Sequence, residues 1–246
     1  MNIILVFLIV FLNTSQFYMP STKKYLVFWN VGQGQWVSRI FPEKCIHFDV
    51  GGEFFAFQSI YRKLVYHCRD KTNIILVSHW DWDHTLNISN LVKKFSKVCV
   101  AHSPVYGQHK KFVRKLTELK IETCTLDLKT DYSKWSPRVY SQTNESSSVF
   151  VTDRVLISGD STSNQEKIWK SEIDLTKMDI FVLGHHGSKS SNSKLLLNSW
   201  PELNMAIASA RSAVYNHPHP SVKIRLKEFN ISLVQTEKWG NIWIEL

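Results

Sequence analysis

From residue 25 onward, short apolar runs alternate with stretches whose apolar residues recur at helical spacing. Residues 25–31, Val37–Ile40 and 45–48 read as strands, and 54–66 as an amphipathic helix. Residues 73–77 are rich in β-branched side chains and predict a buried strand. The pattern then predicts a helix over 86–95, a strand over 98–101 and a helix over 110–119, before a polar stretch at 128–137. Beyond it, 138–141, 148–151 and Val155–Ile157 read as strands, with Thr152-Asp153-Arg154 as a tight turn. Helices are predicted over 165–173, 194–199 and 222–229, and strands over 180–183, Met205–Ala208, Ser232–Gln235 and 241–244. Two strand-rich halves, each with helices, imply an α/β protein in which two sheets form a sandwich covered by helices, not a doubly wound sheet.

Length and charge narrow this picture. The 246 residues suit one large domain, and 43% hydrophobic residues can fill a substantial core. A formal net charge of +9 favours anionic partners such as nucleic acid or an anionic membrane surface. Lys93, Lys94, Lys97, Lys110, Lys111, Arg114, Lys115 and Lys120 lie in one stretch where Glu118 is the only acid. It reads equally as a solvated helix face and as a phosphate-contacting face. None of the four cysteines forms a C-x-x-C pair, which argues against a cysteine zinc site. Cys45 and Cys99 fall inside strand-like runs and read as small buried hydrophobes, leaving the redox compartment open.

The N-terminus stands apart. Residues 1–12 are almost entirely apolar, and Asn13-Thr14-Ser15-Gln16 follows. This is short for a bilayer span and long enough for a signal-peptide core, although no Lys or Arg precedes it and no A-x-A site follows. An export signal, a membrane anchor and the remnant of a spanning helix all fit. The expected organisation is a signal or anchor segment at 1–22 and one folded domain at 23–246, exported or membrane-associated, with a cytoplasmic location left open.

Four motifs carry chemistry, each after a predicted strand or in a stiffened loop. His79-Trp80-Asp81-Trp82-Asp83-His84 puts four metal-capable side chains within six residues. Imidazole and carboxylate together suit zinc, manganese or iron. A helix cap at Asp83 would explain one of them, not four. Asp160 follows Leu156-Ile157-Ser158-Gly159 at a strand end, where a carboxylate can span two ions about 3.5–4 Å apart. Gly184-His185-His186-Gly187-Ser188 flanks two histidines with glycines that permit close backbone approach. In Asn216-His217-Pro218-His219-Pro220 the prolines stiffen the loop that displays two further histidines.

In combination these motifs resemble a known family. Trp29-Asn30-Val31-Gly32-Gln33-Gly34-Gln35 looks like the opening D-V-G-Q-G-D strand of the hydrolase domain attached to ComEC, the membrane channel for DNA uptake in competence. Asp49-Val50-Gly51-Gly52 resembles its D-x-G-G turn, and His79 to His84 the metallo-β-lactamase H-x-[HD]-x-D-H motif. Asn144-Glu145-Ser146-Ser147-Ser148, Gly159-Asp160, His185-His186-Gly187-Ser188 and His217-Pro218-His219-Pro220 follow in the family's order. The resemblance covers residues 25–246; the multi-helix channel part of that family is absent from this sequence.

The resemblance implies a metallo-β-lactamase αββα four-layer sandwich with one or two divalent ions, zinc first and manganese as the alternative. It implies His79 and Asp81 on a first ion, Asp83, His84 and His217 on a second, and Asp160 bridging. Asp83, His185 and His186 are the expected catalytic residues, His186 protonating the leaving oxygen. Asn144, Ser188, Lys189 and His219 are expected to contact substrate, and Asp49 to orient a ligating histidine. Asn30, Gln35, Asp81 and Asn144 depart from the family pattern, and their losses are expected to weaken the first site more than the second. The implied function is a phosphodiesterase or nuclease acting on DNA in a competence-like uptake role, with membrane or channel association. Trp80 and Trp82 could offer stacking faces to bases, although packing under the active-site loop is the favoured reading of both. The alternatives are hydrolysis of another anionic ester, lactam or thioester, and a degenerate domain that binds DNA or a channel partner without catalysis.

Overall fold

The computed structural model describes residues 23–104, 117–138 and 143–246. Strands β1 (Tyr25–Phe28), β2 (Val37–Ile40), β3 (Lys44–Phe48), β4 (Thr72–Leu76), β5 (Val98–His102), β6 (Glu122–Thr123) and β13 (Ile242–Glu245) form one sheet, in the order β13-β1-β2-β3-β4-β5-β6. Strands β7 (Ser133–Trp135), β8 (Val149–Thr152), β9 (Val155–Ile157), β10 (Ile180–Val182), β11 (Met205–Ala208) and β12 (Ser232–Gln235) form the other, in the order β12-β11-β10-β9-β8-β7. Within them, β3, β4 and β5 run parallel, as do β9, β10, β11 and β12.

Alternation along the strands assigns each side chain to a layer. Leu26, Phe28, Ile46, Phe48, Ile74 and Leu76 point between the sheets, where they meet Phe150, Val155, Ile157, Val182 and Ile207. Their neighbours Val27, Ile75 and Val77 point outward, under helices α1 (Ala56–Cys68), α2 (Trp82–Thr85) and α3 (Ile88–Lys94). Helix α1 buries Ala56, Phe57, Ile60, Leu64 and Cys68, a single stripe at helical spacing. On the second sheet Leu156, Phe181 and Ala206 face α4 (Ser163–Glu172), α5 (Lys194–Asn198) and α7 (Pro220–Glu228). The short helices α6 (Ser212–Tyr215) and α8 (Thr236–Trp239) lie in the connections. Both faces of each sheet are therefore covered, which is why the strands read as near-continuous apolar runs. Each fully buried Leu, Ile or Phe stabilises the sandwich by about 1.5–3 kcal/mol. The result is four layers, αββα, as expected from the sequence.

Several expectations are corrected. Cys45 pairs with Cys68 and Cys99 with Cys124, 23 and 25 residues apart, so the cysteines are cross-links and not simple apolar filler. The polar stretch at 128–137 contains β7, and β6 has no apolar signal at all. The helix expected at 86–95 is confined to Ile88–Lys94, with α2 formed separately inside the metal-capable motif. The segment 1–22, most of the helix expected at 110–119, and most of the strand expected at 138–141 lie outside the described residues. So do Lys110, Lys111, Arg114 and Lys115; Lys93, Lys94, Lys97 and Lys120 are exposed. Among the described residues no helix is long and apolar enough to cross a membrane.

At the opposite end of the strands from the metal-capable motifs, a buried ionic brace joins the two sheets. Arg39 of β2 donates to the Asp131 carbonyl at 2.5 Å and to Asp153 Oδ1 at 2.7 Å, while Lys44 of β3 meets Asp131 Oδ2 at 2.6 Å. Removing the buried Asp131 leaves Arg39 and Lys44 underpaired in a largely buried setting. Asp131→Ala is expected to cost about 3 kcal/mol and to lower the melting temperature by several degrees. A thermal melt unchanged from wild type would show that the brace contributes nothing.

Candidate metal centre

The carboxyl ends of β3, β4, β9 and β10 converge at one edge of the sandwich, and each delivers one metal-capable motif. After β3 comes Asp49, after β4 Ser78 and His79, after β9 Asp160, after β10 His185 and His186. The loop before β2 and the turn after β3 lock the first motif in place. The Asp83 carbonyl accepts from Gln35 N at 3.0 Å and Gly52 N at 2.9 Å, and His84 O accepts from Val50 N at 3.0 Å. A Cβ on Gly51 would run into the Asp83 carbonyl, so only glycine allows this approach.

At the centre lies Asp160, buried, with its backbone N–H donated to Ser147 Oγ at 3.1 Å. Its two oxygens face different partners. Oδ1 is 3.0 Å from His84 Nε2 and 3.7 Å from His186 Nε2. Oδ2 is 3.6 Å from His185 Nε2 and 3.7 Å from His79 Nε2. Each side has one further carboxylate: Asp83 Oδ2 lies 3.1 Å from His186 Nε2, and Asp81 Oδ2 lies 3.5 Å from His79 Nε2. Two compact groups of ligand atoms result, His79 with His84 and Asp160, and Asp83 with His84 and His186.

The histidine orientations come from neighbours that hold their other nitrogens. His84 Nδ1 donates to Asp49 Oδ2 at 2.7 Å, and His79 Nδ1 lies 3.1 Å from Ser78 Oγ. Asp49, fully buried, also accepts from Ser78 N, Ser78 Oγ and Gln35 Nε2, each at 2.7 Å. Nε2 of both rings is thereby left facing the centre. His185 and His186 are both left-handed, with φ of 51° and 54°. Such residues cost on the order of 1–3 kcal/mol each and persist where the surroundings impose them.

The charges here are strongly coupled. Burial opposes a charge on His84, but the Asp160 and Asp49 carboxylates outweigh it and raise its pKa well above the ordinary histidine value. Burial likewise opposes ionisation of Asp83, but His186 overcomes it and lowers the carboxyl to about 2. Asp160 is held well below the carboxylate range by His84, His186 and His79, against its own burial. Burial lowers His185, and with the neighbouring histidines lowers His217 to about 4. Such a cluster of carboxylates and imidazoles fits a bound cation. His79 Nε2 and Asp160 Oδ1 are buried without a hydrogen-bond partner, and Nε2 of His84 lies 3.3 Å from Nε2 of His186. Divalent ions held by the two groups would give these atoms their missing partners.

No protein-family model matches the chain. Among curated proteins it is 24% identical to competence protein ComA of Neisseria gonorrhoeae over 230 residues, which is 90% of this chain and 32% of that protein. It is 34% identical to recombination protein 2 of Haemophilus influenzae over 88 residues, 36% of this chain and 11% of that protein. The chain thus spans at most about a third of the length of these relatives. Among solved structures it is similar to the metallo-β-lactamase fold protein YhfI of Bacillus subtilis, with a TM-score of 0.55, 9% identity, and coverage of 91% of this chain and 100% of that one. This chain has the metallo-β-lactamase fold. A second neighbour, Zn(2+)-bound PqqB of Methylobacterium extorquens, has a TM-score of 0.53 at 7% identity, covering 91% of this chain and 100% of that one. The comparisons agree with the resemblance to the ComEC-type hydrolase domain.

Within the metallo-β-lactamase fold, the structure places the expected residues unequally. His79, Asp81, Asp83, His84 and Asp160 come together. His217 does not join either group: its ring is 6.0 Å from that of His185, and its Nδ1 is buried without a partner. His186 occupies the place expected of His217, between Asp83 and Asp160. Asn144 lies 3.3 Å from His185 Nδ1, and Lys189 is exposed just after the turn. Ser188 spends its hydroxyl on Ser190, at 3.0 Å, inside its own loop. His219 caps α7, its Nδ1 accepting from Ser221 N at 3.2 Å. Trp80 is buried and donates to the Pro104 carbonyl at 3.0 Å, which settles it as packing; Trp82 is 39% exposed and available at the lip. Gln35, expected to weaken the first site, instead binds Asp49 behind His84, on the side of the second. Ser78 carried no sequence signal beyond its position beside a motif, whereas Ser147 lies inside the motif at 144–148.

Proposed function

We propose that this chain is a metal-dependent hydrolase that cleaves phosphodiester bonds, with DNA as its substrate. The observation that supports this most is the division of Asp160 between two matched sets of ligands. On this reading His79, Asp81, His185 and Asp160 Oδ2 hold one ion, and Asp83, His84, His186 and Asp160 Oδ1 hold the other. Zinc is the expected metal, with manganese as the alternative. Bound ions supply a nucleophilic water at neutral pH and neutralise charge that develops on the phosphoryl group. The protein's own part is orientation. Asp49 and Ser78 hold His84 and His79 with Nε2 inward. His186, engaged as a ligand, is not the proton donor expected from the sequence. His217, neutral at pH 7, lines the groove next to His185 as a hydrogen-bonding group. Lys189 offers an exposed ammonium to a substrate phosphate.

Three observations favour DNA over other anionic esters. Relatives carry competence and recombination names, the chain has a net charge of +9, and Trp82 presents an exposed ring between two proposed ligands. Cys45–Cys68 and Cys99–Cys124 favour an oxidising compartment outside the cytosol, which is where an exported or membrane-anchored nuclease would act.

The test is cleavage of single- and double-stranded DNA beside a phosphocholine ester and a lactam, before and after chelation. Cleavage of DNA should stop on chelation and return with zinc or manganese. Elemental analysis should count two ions at saturation. The ion beside Asp81 and His185, whose side chains are 31% and 29% exposed, should dialyse away first, since those of Asp83 and His186 are 13% and 2% exposed. A protein that carries no metal and cleaves none of these substrates would sink the proposal; cleavage confined to the lactam would sink its DNA part alone.

A further inference from the structure

The paired histidines His185 and His186 are held by a buried latch on the far side of their turn. Asn192, fully buried, reaches back eight residues and grips Gly184 at both its backbone groups. Its Oδ1 accepts from Gly184 N at 2.8 Å, and its Nδ2 donates to Gly184 O at 2.9 Å and to Ser188 O at 3.4 Å. Gly184 is the residue just before the two histidines, and Ser188 comes just after their turn. The side-chain amide thus takes the place of a neighbouring strand where β10 has run out of partners.

Asn192 is itself held on both backbone groups. Glu166 of α4, 1% exposed, accepts from Asn192 N at 2.5 Å and from Ser193 N at 2.9 Å. Arg225 of α7 donates to Asn192 O at 2.7 Å and to Ser221 O at 3.1 Å. Helix α7 is capped by His219, and a Cβ on Gly187 would come within 2.6 Å of Pro218. One network therefore connects the histidine turn, the His217–His219 loop and two helices. None of its three side chains touches the ligand atoms.

We infer that Asn192, anchored by Glu166 and Arg225, is a positioning residue that imposes the left-handed turn of His185 and His186 and so directs one imidazole to each side of Asp160. Two consecutive left-handed non-glycine residues relax unless something holds them, and the clamp on Gly184 fixes where that turn begins. Loss of the clamp frees both rings together, because they share one turn. The inference rests on the reading of the cluster as a metal centre.

The experiment titrates metal-free protein with cobalt(II), following its visible absorption, in wild type, Asn192→Ala and Asp131→Ala, with a thermal melt of each. Cobalt affinity in Asn192→Ala should fall roughly 10- to 100-fold, the loss typical when the support of a ligand is removed. Both binding steps should weaken. Asp131→Ala, at the far end of the sandwich, should melt earlier yet bind cobalt as wild type does. Unchanged cobalt affinity in Asn192→Ala overturns the inference, as does an equal loss in Asp131→Ala, which would reduce the effect to global stability. Where Asn192→Ala does not fold, Glu166→Gln keeps the shape and replaces one acceptor oxygen. It should bind cobalt several-fold more weakly, and wild-type affinity there overturns the inference too. Wild-type protein that takes up no cobalt would overturn the metal reading itself, a result separate from wild-type-like binding in the variants.

Discussion

Asp160→Ala is expected to abolish hydrolysis while the chain still folds. Among the described residues Asp160 is the one side chain whose two oxygens face both proposed ligand sets, so its loss removes a ligand from each ion at once. Disturbing a mere support of a ligand costs about 10–100-fold. Removing a shared ligand should cost on the order of 10³-fold or more in kcat/KM, which is about 4 kcal/mol of transition-state stabilisation. The residue sits at the end of β9, beyond the core packing of Leu156 and Ile157, so the sandwich should keep a cooperative melt. Asp160→Asn preserves shape and one acceptor oxygen but not the bridging charge, and should retain one ion at most. Turnover above a few per cent of wild type in a folded, metal-loaded Asp160→Ala would show that the carboxylate does not bridge.

How far the sequence disclosed this arrangement depended on what each feature needs from distant residues. The layers were legible because the strands are buried on both faces and therefore apolar throughout, as in Ile74-Ile75-Leu76-Val77. The short edge strands were not. Glu122–Thr123 is exposed and Ser133–Trp135 largely so, and an edge strand with one partner needs no apolar alternation. Positions at the ends of parallel strands were legible as metal-capable because His79, Asp83, His84 and Asp160 are unusual there whatever their partners. Cysteine pairing was not legible. Cys45 lies in β3 and Cys68 ends α1, and only the packing of that helix on the sheet brings them together.

The support of the site was the least legible part. Asp49 stood out because a D-x-G-G turn is distinctive, while Gln35 looked like a loss when it is in fact a donor to Asp49. Asn192 and Glu166 lie 26 residues apart, and neither occupies a motif. Their roles exist only as backbone contacts, which composition and spacing do not encode.

The histidines decide between the two ligand assignments. By spacing alone, the stiff His217-Pro218 loop looks like the better ligand, and His186 looks free to move a proton. The left-handed turn favours the opposite order: His186 Nε2 reaches Asp83 Oδ2 at 3.1 Å and Asp160 Oδ1 at 3.7 Å, whereas the His217 ring packs edge-on with that of His185, 6.0 Å away. Removing His186 should therefore take away the ion between Asp83 and His84 and, with it, roughly 10²-fold or more of kcat/KM, since a direct ligand should matter at least as much as its supports. His217→Ala should keep the full metal count and lose about tenfold or less, the scale of one neutral hydrogen bond to substrate at about 1 kcal/mol. Elemental analysis and steady-state kinetics on the two variants separate the assignments. Full metal content in His186→Ala together with a lost ion in His217→Ala would restore the order expected from the sequence, and would mean that the two loops exchange their roles when metal is bound.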